Sequence, residues 1–331
     1  MALIDSLKFV MSAVAKKDNV PALNHFVIEN GYIKSFNGQL ALAAPIALSF
    51  SCKPKAVLLY NALSECTGTI QLTLTPGGKL GVKSGAFRAY VDCFVGDTYD
   101  ISPVGTTHQL NYANSANLLL ALKTLYPFVG TDTVRLWSTG IMLTDTAALA
   151  GNNVIFAEVL LACGLPNKVN LPRMLVAELL RIGKEPSSIQ LTDTIVTFHY
   201  TTGEYVRSQL LPTSFPNMSS LFHVDATPVP INKEFFDGLS ALKPFVDKKS
   251  ADGEDAHNAV VYFTPQGLST SNIEETGAQY VVEGVPIKGA YNLNMLLLLK
   301  DIMKQADFSR YPDPMLFFGD NVRGAMVSLD Y

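Results

Sequence analysis

One motif occurs twice in this chain, first as Leu118-Leu-Leu-Ala-Leu-Lys-Thr-Leu-Tyr-Pro-Phe-Val129 and again as Phe236-Asp-Gly-Leu-Ser-Ala-Leu-Lys-Pro-Phe-Val246. Each copy is typical of a helix that a proline ends, and a strand-like segment broken by a glycine follows it. Those segments are 134–144 and 260–269. The N-terminal part has the same plan, with a predicted helix over 2–17 and a predicted strand over 25–29. The repeat therefore indicates three similar units along the chain.

A second helix and a closing hairpin complete each unit. The second helices are predicted over 56–66, 171–181 and 292–305. The hairpins are predicted over 69–92, 188–211 and 315–329. We therefore expect an α+β fold of three repeated domains, each with two helices packed on an antiparallel sheet. The three domains are predicted to span 1–104, 105–225 and 226–331.

The composition excludes several classes of protein. Of the 331 residues, 48% are apolar and 16% are charged, and the mean hydropathy is +0.21, so the chain is not intrinsically disordered. No apolar run approaches the ~20 residues of a membrane span, and the N-terminus lacks the features of a signal peptide. The four cysteines have neither metal-binding nor redox spacing, which predicts free thiols in a reducing compartment. We therefore expect a soluble, cytoplasmic protein with no metal, no cofactor and no membrane partner.

The charge of the chain is divided unevenly between its predicted elements. A formal net charge of −4 argues at first against a nucleic-acid partner. None of the six predicted helical segments is net negative, however, and together they are net positive, so the rest of the chain carries the negative excess. Lysines on solvated helix faces are common and give a second explanation. A polyanion that meets the helices, such as duplex DNA, fits the division better.

Three segments resemble one family. Asn19-Val-Pro-Ala-Leu-Asn-His-Phe-Val-Ile-Glu-Asn-Gly31 resembles the first-domain segment of the bacterial-type DNA polymerase sliding clamp, the beta clamp. Val134-Arg-Leu-Trp-Ser-Thr-Gly140 is similar to the second-domain strand of that family. Tyr205-Val-Arg-Ser-Gln-Leu-Leu-Pro-Thr-Ser-Phe-Pro-Asn217 is similar to the closing strand of the same domain and its link. With the three-unit organisation, the resemblance spans nearly the whole chain.

The resemblance implies a polymerase processivity factor. Two three-domain subunits would pair head to tail into a homodimeric ring, with helices lining the hole and strands outside. Two segments depart from the family pattern: Leu149-Ala-Gly-Asn-Asn-Val154 stands where Thr-Asp-Gly-His-Arg-Leu is usual, and Ser35-Phe-Asn-Gly38 replaces a Thr-Asp ending. A divergent clamp, such as a phage-encoded one, would account for both.

A clamp performs no bond chemistry, so no catalytic residue is expected. It would hold duplex DNA through phosphate contacts that carry no sequence information and permit sliding. The residues predicted to make these contacts are Lys8, Lys16, Lys123, Arg173, Arg181, Lys184, Lys243, Lys300 and Lys304. For each of them, a solvated surface charge is the alternative.

The resemblance also implies a pocket between the second and third domains for peptides of the DNA polymerase and the clamp loader. Its predicted residues are Arg135, Ser138, Gly151, Val154, Pro230, Val327 and Leu329. The apolar members could instead be core strand residues. The dimer interface is predicted at Tyr90 and Val91 of one subunit and Leu242 and Val261 of the other.

Two other classes of function are weaker. As an enzyme, the chain offers Pro76–Gly85, which lacks the phosphate-loop pattern, and scattered histidines without a metal-binding pair. The acidic segment Asp252–His257 lacks the alternating ligands of a calcium loop. The main alternative is a non-enzymatic β-rich structural or assembly protein, such as a phage particle component, whose repeats serve packing alone.

Overall fold

The protein is represented by a computed structural model, which describes residues 3–16, 20–110, 116–212, 215–222, 225–251, 259–273, 275–285 and 288–330. Its contacts group the chain into two compact units. Unit 1 contains Met1–Asn111 and Met174–Pro212, and unit 2 contains Tyr112–Arg173 and Thr213–Tyr331. Both units are therefore discontinuous in sequence, and the middle of the chain contributes to each.

Six helices and twenty-two strands are present in the described part of the chain. The helices are α1 (Leu3–Met11), α2 (Ala56–Ser64), α3 (Leu118–Leu125), α4 (Arg173–Ile182), α5 (Lys233–Ala251) and α6 (Leu293–Leu297). The strands before α4 are β1 (Val27–Glu29), β2 (Tyr32–Phe36), β3 (Leu40–Pro45), β4 (Gln71–Leu74), β5 (Leu80–Ser84), β6 (Phe87–Val91), β7 (Thr106–Gln109), β8 (Gly140–Leu143), β9 (Ala147–Gly151), β10 (Ile155–Leu160) and β11 (Val169–Pro172). The later strands are β12 (Ser188–Leu191), β13 (Ile195–His199), β14 (Tyr205–Gln209), β15 (Val229–Pro230), β16 (Val260–Thr264), β17 (Gly267–Ser269), β18 (Gln279–Tyr280), β19 (Gly289–Asn292), β20 (Gln305–Asp307), β21 (Met315–Phe318) and β22 (Val322–Met326).

Unit 1 has two antiparallel sheets. The larger has the order β1-β2-β3-β14-β13-β12-β7, and the smaller has the order β4-β5-β6. α1 packs on β2 and β3 through Leu7 and Val10, which are fully buried and lie one helical turn apart. The pair β3–β14 joins a strand of the predicted first domain to one of the predicted second domain, with Arg207 opposite Ala41.

Unit 2 also has two antiparallel sheets. The larger has the order β11-β8-β9-β10-β22-β21-β20-β15, and the smaller has the order β18-β17-β16-β19. α3 packs on β9 and β10, whereas α5 and α6 contact the smaller sheet and each other. The core beneath that sheet is aromatic, since Phe235, Phe263, Tyr291 and Phe308 have ring centroids 5.1–6.1 Å apart in their contacts.

At two positions, the backbone geometry explains why the residue is a glycine. Asn30 and Gly31, with φ of 50° and 74°, form the two-residue turn between β1 and β2 that suits the twist of a hairpin. Gly324 lies on β22, where a Cβ would stand 2.1 Å from the Phe317 ring and 2.4 Å from the Phe156 carbonyl oxygen. A side chain at 324 would therefore force β22 away from β10.

Two helices are shorter than the sequence predicts. α1 ends at Met11, because the Ala15 amide bonds to the Leu23 carbonyl at 3.0 Å and turns the chain; residues 2 and 17 of that prediction lie outside the described residues. α6 ends at Leu297, because the chain beyond it turns and the Lys304 amide bonds to Phe318 as β20 begins. The prediction of a helix over 292–305 is therefore wrong beyond its first turns.

Two other boundaries also differ from prediction. Pro244 does not end α5, which continues to Ala251; a proline removes one ladder bond and disfavours a helix interior without forbidding it. The segment before Gly140 is not a strand, because a 3-10 helix covers Leu136–Thr139. The Asp132 carboxylate accepts the Val134 amide at 2.9 Å and starts that turn.

The shorter helices change the division of charge. α1, α2 and α6 each have no net charge, whereas α3, α4 and α5 are each net positive. A net positive charge is therefore confined to three of the six described helices. The four cysteines are free, with Cys52 and Cys163 buried.

Candidate functional site

The nine residues predicted to contact DNA occupy helices and the turns that follow them. Five lie on helices: Lys8, Lys123, Arg173, Arg181 and Lys243. Four lie in turns beyond a helix: Lys16, Lys184, Lys300 and Lys304. All except the half-buried Arg173 are exposed.

Two arginines of α4 are engaged within the protein. Arg173 donates to the Val129 carbonyl at 2.9 Å and stacks over the Tyr126 ring at 5.0 Å. Arg181 pairs with the buried Glu178, with Nη2 2.5 Å from Oε1. Both guanidinium groups therefore support the packing around α4 and are not simply free surface charges.

The Glu178 carboxylate also ties α4 to the end of α1. Ser12 Oγ donates to Glu178 Oε1 at 2.7 Å, and Arg181 Nη2 reaches the Phe9 carbonyl at 3.3 Å. Nearby, burial raises the pKa of the Tyr200 hydroxyl, and the negative charge of Glu178 adds to the effect. This part of unit 1 is a polar network around the buried Glu178, and no local sequence pattern predicts it.

Two lysines of the predicted DNA-contact set have a carboxylate partner in the described structure. Lys184 Nζ lies 3.7 Å from Oε1 of Glu204, whose side chain is buried. Lys304 Nζ lies 2.5 Å from Oδ1 of Asp320, and both side chains are exposed. The exposed pair contributes little to stability, because solvent screens it.

The remaining five lysines have no ion pair with the described part of the chain. They are Lys8, Lys16, Lys123, Lys243 and Lys300. Because their ammonium groups are solvated and exposed, an external anion can approach them without displacing an internal partner.

Two residues of the predicted peptide pocket meet in unit 2. The Val327 amide donates to the Val154 carbonyl at 2.9 Å, one residue beyond the pairing of Ile155 with Met326. The Val327 side chain is 47% exposed, and Val154 is half-buried. Asn152 fixes the loop, since its Oδ1 accepts the Ile155 amide at 2.9 Å.

Other predicted pocket residues lie deeper or farther away. Ser138 is fully buried, and its Oγ donates to the Arg135 carbonyl at 2.8 Å, while the Arg135 side chain is exposed. Gly151 is buried opposite Phe156 on β10. Pro230 lies on β15, three strands from β22 in the same sheet, so it is not beside Val327.

Leu329 connects the two sheets of unit 2. Its amide donates to the Ala290 carbonyl of β19 at 2.8 Å, and its own carbonyl accepts the Tyr311 hydroxyl at 2.9 Å. It is half-buried, so part of its side chain remains available beside Val327.

An aromatic cover lies next to this pocket, and the sequence did not predict it. Phe215 of the predicted link packs against Trp137 with ring centroids 4.9 Å apart, and Phe156 contacts both Phe215 and Phe222. Arg323 stacks over Phe222 at 4.4 Å. The Phe-Pro-Asn link was recognised as a motif, but no local pattern shows which strand face it covers; residues 213 and 214 of it lie outside the described residues.

The predicted interface residues differ in accessibility. Tyr90 is 65% exposed on β6, an edge strand of the smaller sheet of unit 1, whereas Val91 is buried. Leu242 and Val261 are 2% and 0% exposed, so their side chains have almost no surface for a partner. The large apolar side chains that are exposed elsewhere in unit 2 include Phe245, Ile273 and Val281.

The described residues give no support to a metal centre or a membrane segment. They contain no group of three or more His, Cys, Asp or Glu side chains arranged to hold a metal ion. None of the described helices has the length and apolar character needed to cross a membrane. The acidic segment 252–257 lies outside the described residues.

The structure is similar to solved bacterial sliding clamps over its whole length. A beta sliding clamp of C. crescentus aligns with a TM-score of 0.82 and 16% identity, covering 100% of this chain and 97% of that chain. The DNA polymerase III subunit beta of Pseudomonas aeruginosa gives 0.79 and 16%, covering 100% and 98%. The DNA polymerase sliding clamp of Bacillus subtilis gives 0.77 and 16%, covering 99% and 97%. No protein-family model and no curated protein matches the sequence. The predicted α+β clamp fold is therefore confirmed, at identities that establish the fold alone.

Proposed function

We propose that this chain is the subunit of a DNA sliding clamp, a homodimeric ring that encircles duplex DNA and tethers a replicative DNA polymerase. The observation that carries the proposal is the full-length similarity to three bacterial clamps, with no part of the chain left over. Each subunit would consist of three clamp domains, over 1–104, 105–225 and 226–331. The protein would act in the cytoplasm, by topology and without bond chemistry.

The basic residues of the helices and their turns would face the DNA. The five exposed lysines that have no ion pair with the described residues are the strongest candidates, because solvated cations can contact phosphates directly. Arg173, Arg181, Lys184 and Lys304 would contribute positive potential while keeping their partners in the protein. Such contacts hold DNA without reading its sequence, which sliding requires.

The peptide site would centre on Val154 and Val327, which the structure brings into hydrogen-bond contact. Their partly exposed side chains, with that of Leu329, would receive an apolar anchor of a polymerase or loader peptide. The aromatic cover formed by Trp137, Phe156, Phe215 and Phe222 would form the wall next to them. Arg135 would lie at its polar rim.

The dimer would form through the free edge of β6. Exposed edge strands invite pairing with another chain, and Tyr90 projects from this one. On the partner subunit, the exposed neighbours of the buried Leu242 and Val261, such as Phe245, would make the side-chain contacts.

The alternative of a β-rich assembly protein is not favoured by the comparisons. It gives no reason for net positive charge on three helices of an acidic chain. It also predicts no dependence on DNA topology.

The decisive experiment compares DNA circles with linear DNA. The labelled protein is loaded with a clamp loader onto nicked circles, washed at high salt, and the circles are then cut once with a restriction enzyme. A clamp should remain on intact circles and leave after cutting, because retention is topological and not electrostatic. Mass measurement should give a dimer. A monomer retained equally on circles and linear DNA, or on neither, would contradict the proposal.

A further inference from the structure

Two places in this molecule have the same strand arrangement, in which a β-hairpin is extended by two strands from a distant part of the chain. Each of these places is called a joint below. In unit 1, the hairpin β2–β3 is continued by β14 and β13, and in unit 2, the hairpin β9–β10 is continued by β22 and β21. Each hairpin loop has an asparagine whose Oδ1 accepts the amide three residues on at 2.9 Å: Asn37 to Leu40, and Asn152 to Ile155. The two joints can therefore be compared residue by residue.

The comparison places two glutamines where the proposed peptide site has valines. Leu40 pairs with Ser208 as Ile155 pairs with Met326. Gln39 therefore corresponds to Val154, and Gln209 corresponds to Val327. Both glutamines are exposed.

The joint of unit 1 contains a small open cavity of about 100 Å³. Phe36, Ile101 and Ile195 supply apolar lining, and Gln39, Arg207 and Gln209 supply polar lining. An apolar wall with a few convergent polar groups is the usual lining of a ligand site, and a cavity of this size has room for one side chain.

Arg207 gives the cavity its chemical preference. It is half-buried, and its Nη1 donates to the Asp100 carbonyl at 3.0 Å. No other acceptor among the described residues is bonded to its guanidinium, so N–H groups remain for a ligand. An arginine in this state binds a carboxylate through two parallel hydrogen bonds.

The carboxylate of Asp100 does not occupy those N–H groups. It accepts the Ser102 amide at 2.8 Å, and hydrogen bonds from Ser102 hold its pKa below the usual range, with Lys34 and Arg207 adding to the effect. Asp100 is one of the residues that line the cavity, and its side chain is exposed, so solvent screens its charge from a ligand carboxylate at Arg207.

We propose that this cavity is a second peptide site, which takes a short segment with an apolar side chain next to a carboxylate. The inference rests on the proposed function, since the peptide class follows from the equivalent joint in unit 2. The glutamines and Arg207 would select an acidic motif, whereas Val154 and Val327 would select a purely apolar one. One subunit would thus hold two kinds of partner peptide at once.

The test is binding of fluorescein-labelled pentapeptides in which Leu, Phe or Tyr precedes Glu, against a matched set with Gln in place of Glu. Fluorescence anisotropy should show that the full-length protein prefers a Glu peptide by about tenfold or more, as a charge-assisted pair predicts. Arg207→Gln should remove that preference. Gln39→Trp should weaken binding by filling the mouth while leaving the Arg207–Asp100 bond intact. Lys83→Gln, on an exposed position of β5, is the matched control.

Val327→Asp separates this site from the other joint and should keep the Arg207-dependent preference for Glu. If Arg207→Gln binds every peptide as the parent does, or no peptide of the panel binds, the second site is overturned. If binding is lost in Val327→Asp alone, the peptides bind at the other joint and the second site is likewise overturned. Retention of the parent protein on DNA circles tests the proposed clamp function separately. The clamp function and the second peptide site can therefore fail independently.

Discussion

At the residue scale, the polar contacts of Arg181 determine how its role can be tested. Its guanidinium contacts both carboxylate oxygens of Glu178, the Phe9 carbonyl and Ser12 Oγ. Reversing its charge would place a carboxylate beside the buried Glu178 and destabilise the protein before any DNA is present. The exposed lysines that form no ion pair within the described part of the chain are better positions for substitution.

The triple variant Lys8→Glu, Lys123→Glu and Lys243→Glu should weaken DNA binding at low salt by an order of magnitude or more. Each lost phosphate contact should also reduce the slope of log binding constant against log salt concentration by about one in magnitude. The measurement is a salt-titrated binding isotherm on duplex DNA, with the thermal midpoint as a check on folding.

The matched control reverses three exposed lysines that lie outside the helices, at Lys83, Lys168 and Lys288. It changes the net charge equally. Equal loss of DNA binding in both triple variants would mean that overall charge, and not the helix positions, governs the interaction.

Asp307 carries a stability prediction. It is 1% exposed and accepts the Thr227 amide at 3.0 Å, and the Ser309 amide and hydroxyl at 2.9 and 2.7 Å. Burial acts to raise the pKa of its carboxyl, but these hydrogen bonds outweigh it and hold the pKa below the usual range. Asp307→Asn should cost about 1–3 kcal/mol at neutral pH, because an amide presents only one acceptor oxygen.

The pH dependence of that cost has a definite sign. A carboxyl whose pKa is lowered by folding stabilises the native state above its unfolded pKa, near 3.9, and the contribution is lost as the pH falls through the folded value. The thermal midpoints of parent and Asp307→Asn should therefore converge below about pH 4. Asp320→Asn, in an exposed ion pair, should change the midpoint little at any pH. If the difference between the thermal midpoints of the parent and Asp307→Asn does not change with pH, the negative charge of Asp307 does not have this role.

Residue roles were predictable only where sequence neighbours set them. The asparagine loops and the Asn30-Gly31 turn follow from local hydrogen bonding. The Glu178–Arg181 network does not, because Ser12 is far away in the sequence. The resemblance assigns Pro230 and Val327 to one pocket, and no local pattern shows that β20 and β21 lie between their strands.

At the element scale, β6 has an unpaired edge that a second subunit could extend. Tyr90→Asp places a charge on that edge and should convert a dimer to monomers without unfolding, since the side chain is already solvated. Sedimentation velocity over a concentration series measures the change.

Leu74→Asp is the control on the opposite edge of the same sheet. Leu74 lies on β4 and is exposed, and the substitution adds the same charge to the same unit. This variant should remain dimeric. Monomers from Leu74→Asp with dimers from Tyr90→Asp would place the interface on the other edge.

Helix and strand identities followed well from periodicity, and helix ends did not. α2, α3 and α4 begin and run much as predicted, because their apolar spacing is local. α1 and α6 end early because a distant strand or loop takes over the backbone hydrogen bonds at Ala15 and Lys304. Those partners are visible only in the folded chain.

At the scale of the whole molecule, the sheets do not stop at the predicted domain boundaries. A fragment 1–104 would lose β7, β12, β13 and β14, four strands of the seven-stranded sheet, and would expose the apolar edge of β3. We expect it to aggregate or to lack a cooperative unfolding transition, because a severed sheet leaves unpaired backbone and buried apolar residues in water. Gel filtration and thermal melting against the intact chain measure this. A monomeric fragment with a sharp melt would show that the first domain is self-sufficient.

The three repeats and the resemblance of three segments to the beta clamp were enough to predict the global fold, although the identity to the solved clamps is only 14–18%. Apolar periodicity and turn positions preserve a fold when most side chains change. What the sequence could not indicate was the grouping into two discontinuous units, because strand pairing across predicted domains depends on edges far apart in sequence.

The seating of Phe215 on Trp137 also has a spectroscopic consequence. The chain has one tryptophan, so its indole emission arises from a single location, next to the link and the proposed peptide site. Lifting the link would bring the indole into water and move its emission to longer wavelength, whereas an occupied site would hold the ring in place. The intrinsic fluorescence of Trp137 in the unlabelled protein therefore reports on the position of the link. Stopped-flow fluorescence can follow that signal while partners bind and dissociate.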